Sequence, residues 1–79
     1  MLQELKEMGL SQAMIAREMK THRQTVNQWF MGNRVPTARS ISKMATAMST
    51  LTGKKVVPAD VYNLITTVVE RIEREKESI

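Results

Sequence analysis

The sequence contains no cysteine, and phenylalanine, tryptophan and tyrosine occur once each in 79 residues. The absence of cysteine excludes disulfides and thiolate metal sites, and a single histidine cannot build a metal site from histidines alone. With so few aromatic residues, the core must consist mostly of Met, Leu, Ile and Val. A chain of this length suffices for one small domain with a modest core, which can depend on a partner chain for stability.

Long apolar runs are also absent. No segment is long enough to span a bilayer, and the opening residues MLQELKEMGL do not resemble a signal peptide. The sequence shows no pairing of a nucleophile with a base and no sign of a small-molecule site, so nothing favours an enzyme. We therefore expect a cytoplasmic protein that needs no metal and no cofactor.

Charge is distributed unevenly along the chain. Residues 1–55 carry nine basic and three acidic residues, a net charge of +6, whereas residues 56–79 carry three basic and five acidic residues, a net charge of −2. A basic body with an acidic tail indicates a polyanion as the partner of the body and a different role for the tail. Charge alone does not identify that polyanion.

Apolar residues recur at helical spacing along the whole chain, so we predict an all-α fold of about five helices. Ser11 and Thr37 stand where the N-caps of the second and fourth helices are expected. Gly9 and Gly53 stand where the first and fourth helices should end. The third helix should cover residues 22–31.

A fifth, extended helix should begin near Pro58, a residue that the first turn of a helix tolerates. The preceding KKVV is either a turn or a short strand. The apolar residues of this helix cover an arc of about 160°, which is wide for a helix packed on one side of a small body. We therefore expect it to pair with the same helix of a second copy; the alternative is a helix that only covers the chain's own core. The residues predicted at the dimer interface are Val61, Leu64, Ile65, Val68 and Ile72.

The segment THRQTVNQWF combines polar side chains with Val, Trp and Phe. On a helix, Val26 and Trp29 share one face, which suits packing against a core. An Arg can donate two hydrogen bonds to guanine, Gln or Asn can pair with adenine, and a helix fits the DNA major groove. An ordinary solvated face would more often carry Glu and Lys, and this one has no acid. The opposite face, which we expect to meet DNA, carries Arg23, Gln24, Asn27 and Gln28.

The stretch SQAMIAREMKTHRQTVNQW, followed by GNRVP, resembles the helix-turn-helix of the lambda-repressor and Cro-like family, also called the XRE family. The resemblance covers about residues 1–53. It implies a helix-turn-helix DNA-binding domain at 1–53. Residues 54–79 follow as the C-terminal helix, in which we expect residues 56–72 to serve dimerisation; family members also dimerise through a C-terminal strand, so both geometries stay open. The matching features are LSQ at the start of the first motif helix, Ile15 and Ala16 within it, Met19 at its end, the buried positions Val26 and Trp29, and Gly32 and Pro36 in the loop that follows.

Two positions depart from the family pattern. The family usually has glycine in the turn where this chain has Lys20, so we expect Lys20 to adopt a left-handed conformation at a cost on the order of 1 kcal/mol. The family usually has an apolar residue next, and here it is Thr21. Thr21 could form a capping box with Gln24 and start the third helix early, whereas the family register makes His22 the N-cap. We prefer the family register.

The resemblance also implies roles for individual residues. Arg23, Gln24 and Gln28 correspond to base readers, and Asn27 supports them or contacts phosphate. Phosphate contacts are implied for Gln12, Asn33, Arg34 and Arg39, and Gln12 also supports the recognition helix. His22 lies outside this correspondence, and we expect it to be a solvated cap or a further phosphate contact.

These features and the resemblance together predict a transcriptional regulator of phage or bacterial type that binds a palindromic operator in double-stranded DNA as a homodimer. That it acts as a repressor is an expectation by analogy with the family. Two other classes fit parts of the sequence. An antitoxin-type module would bind a partner protein through a C-terminal segment that is disordered when alone. An RNA binder usually needs an aromatic stacking platform, which this sequence lacks.

Overall fold

The computed structural model describes residues 2–77, which fold into five α-helices with no β-strand among them. This confirms the predicted all-α fold with a long C-terminal helix, and KKVV is an irregular connection rather than a strand. Residues 1, 78 and 79, at the ends of the predicted segments 1–53 and 54–79, lie outside the described residues. The helices are α1 (Gln3–Glu7), α2 (Gln12–Met19), α3 (Arg23–Phe30), α4 (Ala38–Thr52) and α5 (Pro58–Glu77).

The predicted capping residues are found at the helix ends. The Ser11 hydroxyl accepts a hydrogen bond from the Met14 N–H at 3.2 Å, and the Thr37 hydroxyl accepts one from the Ser40 N–H at 3.1 Å. Each bond satisfies an N–H group that the first turn of a helix leaves without a helical partner. α4 ends at Gly53, whose φ of 71° is the left-handed conformation expected after a helix.

One apolar core joins the five helices, and it contains no buried polar or charged side chain within residues 2–77. Methionine and aliphatic residues fill most of it, as the composition predicted. The fully buried side chains at its centre are Leu5 from α1, Ile15 from α2, Val26 and Phe30 from α3, Met44 and Met48 from α4, and Val61 and Val68 from α5.

The fifth helix belongs to this core, which changes the interpretation of its apolar arc. α5 packs against both α3 and α4. Val61, Ile65 and Val68 are at most 8% exposed in a single chain, so their side chains pack in the core of one copy, and their predicted contact with a second copy stays a prediction. Leu64 and Ile72 are half-buried against the core, and their contact with a second copy stays a prediction.

The turn between α2 and α3 is closed by Lys20 in a left-handed conformation, with φ 58° and ψ 44°. The Lys20 N–H donates to the Arg17 carbonyl at 3.2 Å, and the Thr21 N–H donates to the Ala16 carbonyl at 2.9 Å. This pair of bonds is the Schellman arrangement, which glycine adopts most readily. Lys20 is the only residue other than glycine with a positive φ in the described part of the chain. The left-handed turn expected at Lys20 is therefore confirmed.

An ion pair joins the first helix to the last. The Arg71 guanidinium donates through Nε to Glu4 Oε2 at 2.8 Å and through Nη2 to Glu4 Oε1 at 3.1 Å, while Nη1 donates to Glu75 Oε1 at 3.0 Å. The hydrogen bonds that Arg71 donates to Glu4 lower the pKa of the Glu4 carboxyl, and the bonds that Arg71 donates to Glu4 and Glu75 raise the pKa of the guanidinium. The two parallel bonds to Glu4 fix the five-residue helix α1 against α5.

We expect Lys20→Gly to raise the melting temperature. Glycine removes the steric cost of a side chain in the left-handed region, about 1–2 kcal/mol, and adds an entropic cost of about 0.5–1 kcal/mol. Lys20→Ala is the matched control, because alanine removes the charge and keeps the Cβ. Thermal unfolding followed by circular dichroism compares the three chains. A melting temperature for Lys20→Gly below that of Lys20→Ala would contradict the strain argument.

The ion pair of Glu4 predicts a pH-dependent loss of stability in Glu4→Gln. Because the pKa of Glu4 is lowered in the folded chain, the pair stabilises the fold above the ordinary pKa of a glutamate, and this contribution is lost as the pH falls through the lowered value. The difference in urea-unfolding midpoint between the unchanged chain and Glu4→Gln should be small, since the pair is partly exposed.

That difference should be present at neutral pH and disappear in acid. Glu7→Gln is the control, because Glu7 is exposed on the same helix and forms no ion pair within residues 2–77. A midpoint difference for Glu4→Gln that is the same at neutral and acid pH would exclude the ion pair as its cause.

Candidate nucleic-acid interface

α3 divides its side chains between the core and solvent. Val26 is fully buried and Trp29 is 6% exposed, so the predicted apolar side of the helix packs as expected. The opposite side projects outward and contains no acidic residue. We call this side the polar face of α3; it consists of Arg23, Gln24, Asn27 and Gln28, all exposed.

His22 is the N-cap residue of α3. Its backbone is extended, with φ −85° and ψ 142°, and its carbonyl accepts hydrogen bonds from the N–H groups of Thr25 at 3.0 Å and Val26 at 3.4 Å. This confirms the family register, in which His22 is the N-cap of α3, and excludes a helix that starts one residue earlier with Thr21 as its cap. No side chain caps this end of α3, and its first turn contains no acidic residue. The N-terminus of the helix is therefore open to an anion, which its partial positive charge favours.

A cleft of about 460 Å³ borders the polar face on the side of α1 and the start of α2. Gln12 lines this cleft together with Arg23 and Asn27. Gln12 is half-buried and the other two are exposed. No acidic residue from the described part of the chain lines it. The structure thus brings three of the predicted DNA contacts, which come from α2 and α3, into one cleft.

The loop after α3 is tied to the helix that precedes it. The N–H groups of Asn33 and Arg34 both donate to the Gln28 carbonyl, at 3.0 and 3.3 Å. Gly32 starts this path with a φ of 78°, and a Cβ at this position would lie 3.1 Å from a methyl group of Val69. The predicted contacts Asn33 and Arg34 are exposed, and these bonds hold them beside the last turn of α3.

A second cleft, of about 350 Å³, lies between the α2–α3 turn and the start of α4. We call it the basic cleft, because Lys20, Arg34 and Lys43 line it and no described acidic residue does. The sequence analysis assigned Lys20 only to the turn and gave Lys43 no role. Lys20 and Lys43 come together in the basic cleft because of the way α4 packs against α2. The only sequence signal for a basic surface here was the net charge of +6 in residues 1–55.

The two clefts lie on opposite sides of the central glutamines of the polar face. Arg23 and Asn27 line the first cleft, whereas Thr25 and Trp29 line the basic cleft. At 100° per residue, these two pairs fall on either side of the direction in which Gln24 points. An elongated polyanion lying along the polar face would therefore meet polar or basic side chains on both flanks.

Arg39 lies apart from these two clefts. It is exposed at the start of α4 and lines a third depression with Lys43 and Glu18. The structure therefore groups Arg39 with Lys43 and not with Gln12 or Arg23. The set of residues predicted from the sequence is spread over several neighbouring surfaces of the domain.

Within residues 2–77, no three His, Asp or Glu side chains lie close enough together to hold a metal ion. None of the helices in that range is both long enough and apolar enough to cross a membrane. His22, the single histidine of the chain, is exposed at the start of α3.

Residues 1–50 match the model of a helix-turn-helix family, of the XRE and lambda-repressor type. The matched range covers α1 to α3 and most of α4, and thus includes the left-handed turn at Lys20 and the whole polar face. No curated protein and no solved structure matches the chain. The chain belongs to the XRE and lambda-repressor-like helix-turn-helix family of DNA-binding regulators.

Proposed function

We propose that this protein is a sequence-specific transcriptional regulator that places α3 in the major groove of double-stranded DNA. The observation that carries the proposal is the arrangement around α3: an exposed, acid-free polar face with a cleft on each side, one of them basic. A major groove is wide enough for one helix and has phosphates along both edges. Membership of the family indicates DNA binding, and the arrangement around α3 supports the proposal that this helix enters the major groove.

The polar face supplies the base contacts in this proposal. Arg23 donates a forked pair of hydrogen bonds to a guanine, and Gln24 and Gln28 pair with adenines. Asn27 shares the first cleft with Gln12, so it either contacts phosphate or orients Arg23. Because Val26 is fully buried on the opposite side, the helix cannot rotate to present other side chains without leaving the core.

Phosphate contacts surround the base contacts. Gln12, His22 and the open N-terminus of α3 serve one strand, since Gln12 shares a cleft with Arg23 and His22 caps that end. Asn33, Arg34 and the lysines of the basic cleft serve the other strand. Arg39 extends this second contact along α4. Such contacts position the domain and carry no sequence information themselves.

We further propose that two copies bind one palindromic operator and repress by occupying it. A two-fold symmetric dimer presents its recognition helices to successive major grooves, about 34–36 Å apart. The shorter extents of the chain are 23 and 21 Å, so two copies can lie side by side within that spacing. The size of the chain is therefore compatible with such a dimer and does not identify its interface.

The rival interpretation is an antitoxin-type module, which needs a C-terminal segment free to bind another protein. α5 is instead a helix whose apolar stripe packs onto α3 and α4. Releasing it would expose Val61 and Val68, which are fully buried. This packing supports the regulator over the module.

Arg23→Ala should weaken binding to the preferred duplex by about 1–3 kcal/mol and binding to unrelated duplexes by less, because a base contact is lost. Gln24→Ala should behave in the same way. Arg34→Ala should weaken both kinds of duplex evenly, as a phosphate contact does. Arg17→Ala is the control, because Arg17 is exposed on α2 outside both clefts. Fluorescence anisotropy measures all of them, and equal losses on both duplexes for Arg23→Ala would make it a phosphate contact.

Binding should also depend steeply on salt. Four basic contacts per copy, from Lys20, Arg34, Arg39 and Lys43, predict that the affinity of one copy for a half-site duplex falls roughly a hundredfold as salt rises from about 50 to about 200 mM. Lys43→Gln should reduce the slope of log affinity against log salt by about one per copy. Lys54→Gln is the control, because Lys54 is an exposed lysine in the α4–α5 connection outside the basic cleft. Identical slopes for both variants would remove Lys43 from the DNA surface.

A further inference from the structure

The outward side of α3 includes one apolar side chain, that of Met31. At 100° per residue it points to about 80° from Arg23, between Asn27 at about 40° and Gln24 at about 100°. Its backbone keeps a helical conformation, with φ −87° and ψ −4°, so this direction follows from the helix. Met31 is half-buried. It therefore lies among the residues of the polar face, and neither the base contacts nor the phosphate contacts proposed above use it.

Core packing does not account for Met31. Within residues 2–77, the partly buried apolar side chains that pack against the core include Met19 and Leu2 but not Met31. Met31 instead lines the first cleft, together with Leu2 and Leu5 from the side of α1. A single apolar residue at a surface is ordinary, whereas these three residues form an apolar wall beside the polar face. Such a wall gains free energy when an apolar group of another molecule covers it.

The rest of the lining of the first cleft is polar. It consists of Ser11, Gln12, Arg23 and Asn27 and contains no described acidic residue. A cleft with a cation, amide groups and an apolar wall suits a ligand that combines negative charge, hydrogen-bonding atoms and a small apolar group. In the major groove, thymine presents an acceptor oxygen, O4, beside a methyl group on C5, and the adjoining phosphates supply the negative charge.

We propose that the first cleft receives a thymine whose methyl group packs against Met31 and Leu2, so that Met31 is a specificity-determining residue. The inference rests on the proposed function, because it takes α3 to lie in the major groove. The flexible, polarisable thioether of Met31 can adapt to the position of the methyl group. Cytosine lacks this methyl group, and adenine and guanine present polar atoms to the groove. The contact therefore favours thymine over the other three bases.

The position of Met31 on α3 limits where this thymine can lie in the bound sequence. Met31 is eight positions after Arg23, which corresponds to about 12 Å along the helix axis. Successive bases of one strand are about 3.4 Å apart along the DNA axis. Because both side chains line the same cleft, the thymine should lie within about four base steps of the guanine that Arg23 contacts.

Exchange of thymine for deoxyuridine tests the contact without changing the protein. A duplex is selected from a random pool, and each of its thymines is replaced in turn by deoxyuridine, which keeps O4 and lacks only the methyl group. At one thymine in each half, near the guanine whose preference Arg23→Ala removes, the exchange should weaken binding roughly threefold to fivefold, the effect of one methyl-sized apolar group. Exchange at the other thymines should change the affinity little. Fluorescence anisotropy measures each duplex.

Variants of Met31 assign the methyl contact to this side chain. Met31→Ala should bind the thymine duplex and the deoxyuridine duplex with nearly equal affinity, because the methyl group has lost its partner. Met31→Leu keeps an apolar side chain of similar size and should retain the difference. Met14→Ala is the matched control and should also retain it, because Met14 is 36% exposed on α2 and lies outside the first cleft. Circular dichroism checks that each variant is folded.

The outcomes separate this inference from the proposed function. A selected duplex in which every thymine tolerates deoxyuridine, or in which no thymine lies near that guanine, overturns the thymine contact and leaves the regulator intact. A thymine whose exchange weakens Met31→Ala as much as the unchanged chain also overturns the contact, because another residue then meets the methyl group. A pool that stays random after repeated selection overturns the proposed function and this inference with it.

Discussion

The burial of Val26 and Trp29 determines which side of α3 can meet a ligand. Both side chains project into the core, and because side chains on a rigid helix have fixed relative directions, their burial turns Gln24 and Gln28 outward. Burying an apolar side chain of this kind stabilises the fold by about 1.5–3 kcal/mol. Turning another side of α3 outward would lose such contributions and expose Phe30 as well. The polar face is thus a consequence of core packing.

Two backbone positions place α3 relative to its neighbours. Lys20 closes the turn before the helix with a left-handed conformation, and Gly32 opens the loop after it with another. Glycine would satisfy the turn with less strain, but it would remove a cation that lines the basic cleft. Lys20 therefore has two roles: its backbone closes the turn, and its side chain adds positive charge to the basic cleft. At Gly32, in contrast, a residue with a side chain does not fit without a shift of its neighbour, because Val69 occupies the space that the side chain would need.

Local signals in the sequence were enough for the helices and their ends. Ser11, Thr37 and Gly53 act through hydrogen bonds or dihedral angles within one turn, so their roles follow from the residues around them. The helical spacing of apolar and polar residues in THRQTVNQWF was likewise sufficient to divide α3 into a buried side and an exposed side. Whether that outer side reads bases is a matter of chemistry with a partner, which neither the sequence nor the fold contains.

Features that depend on packing between distant segments could not be predicted. The width of the apolar arc on α5 does not reveal how many neighbours cover it. Val61 and Val68 are buried in the core of the same chain, where α5 packs against α3 and α4. Lys20 and Lys43 share a cleft because α4 packs against α2. The Glu4–Arg71 pair joins residues 67 positions apart, and no periodicity within one helix indicates such a contact.

The central claim is that the polar face of α3 reads DNA sequence, and selection of bound duplexes from a random pool tests it most directly. The account predicts an enriched consensus with two-fold symmetry for the unchanged chain. It also predicts that Arg23→Ala loses the preference for one base in each half while the rest of the consensus remains. A pool that stays random after repeated selection, or a consensus that Arg23→Ala and Gln24→Ala leave unaltered, would contradict it.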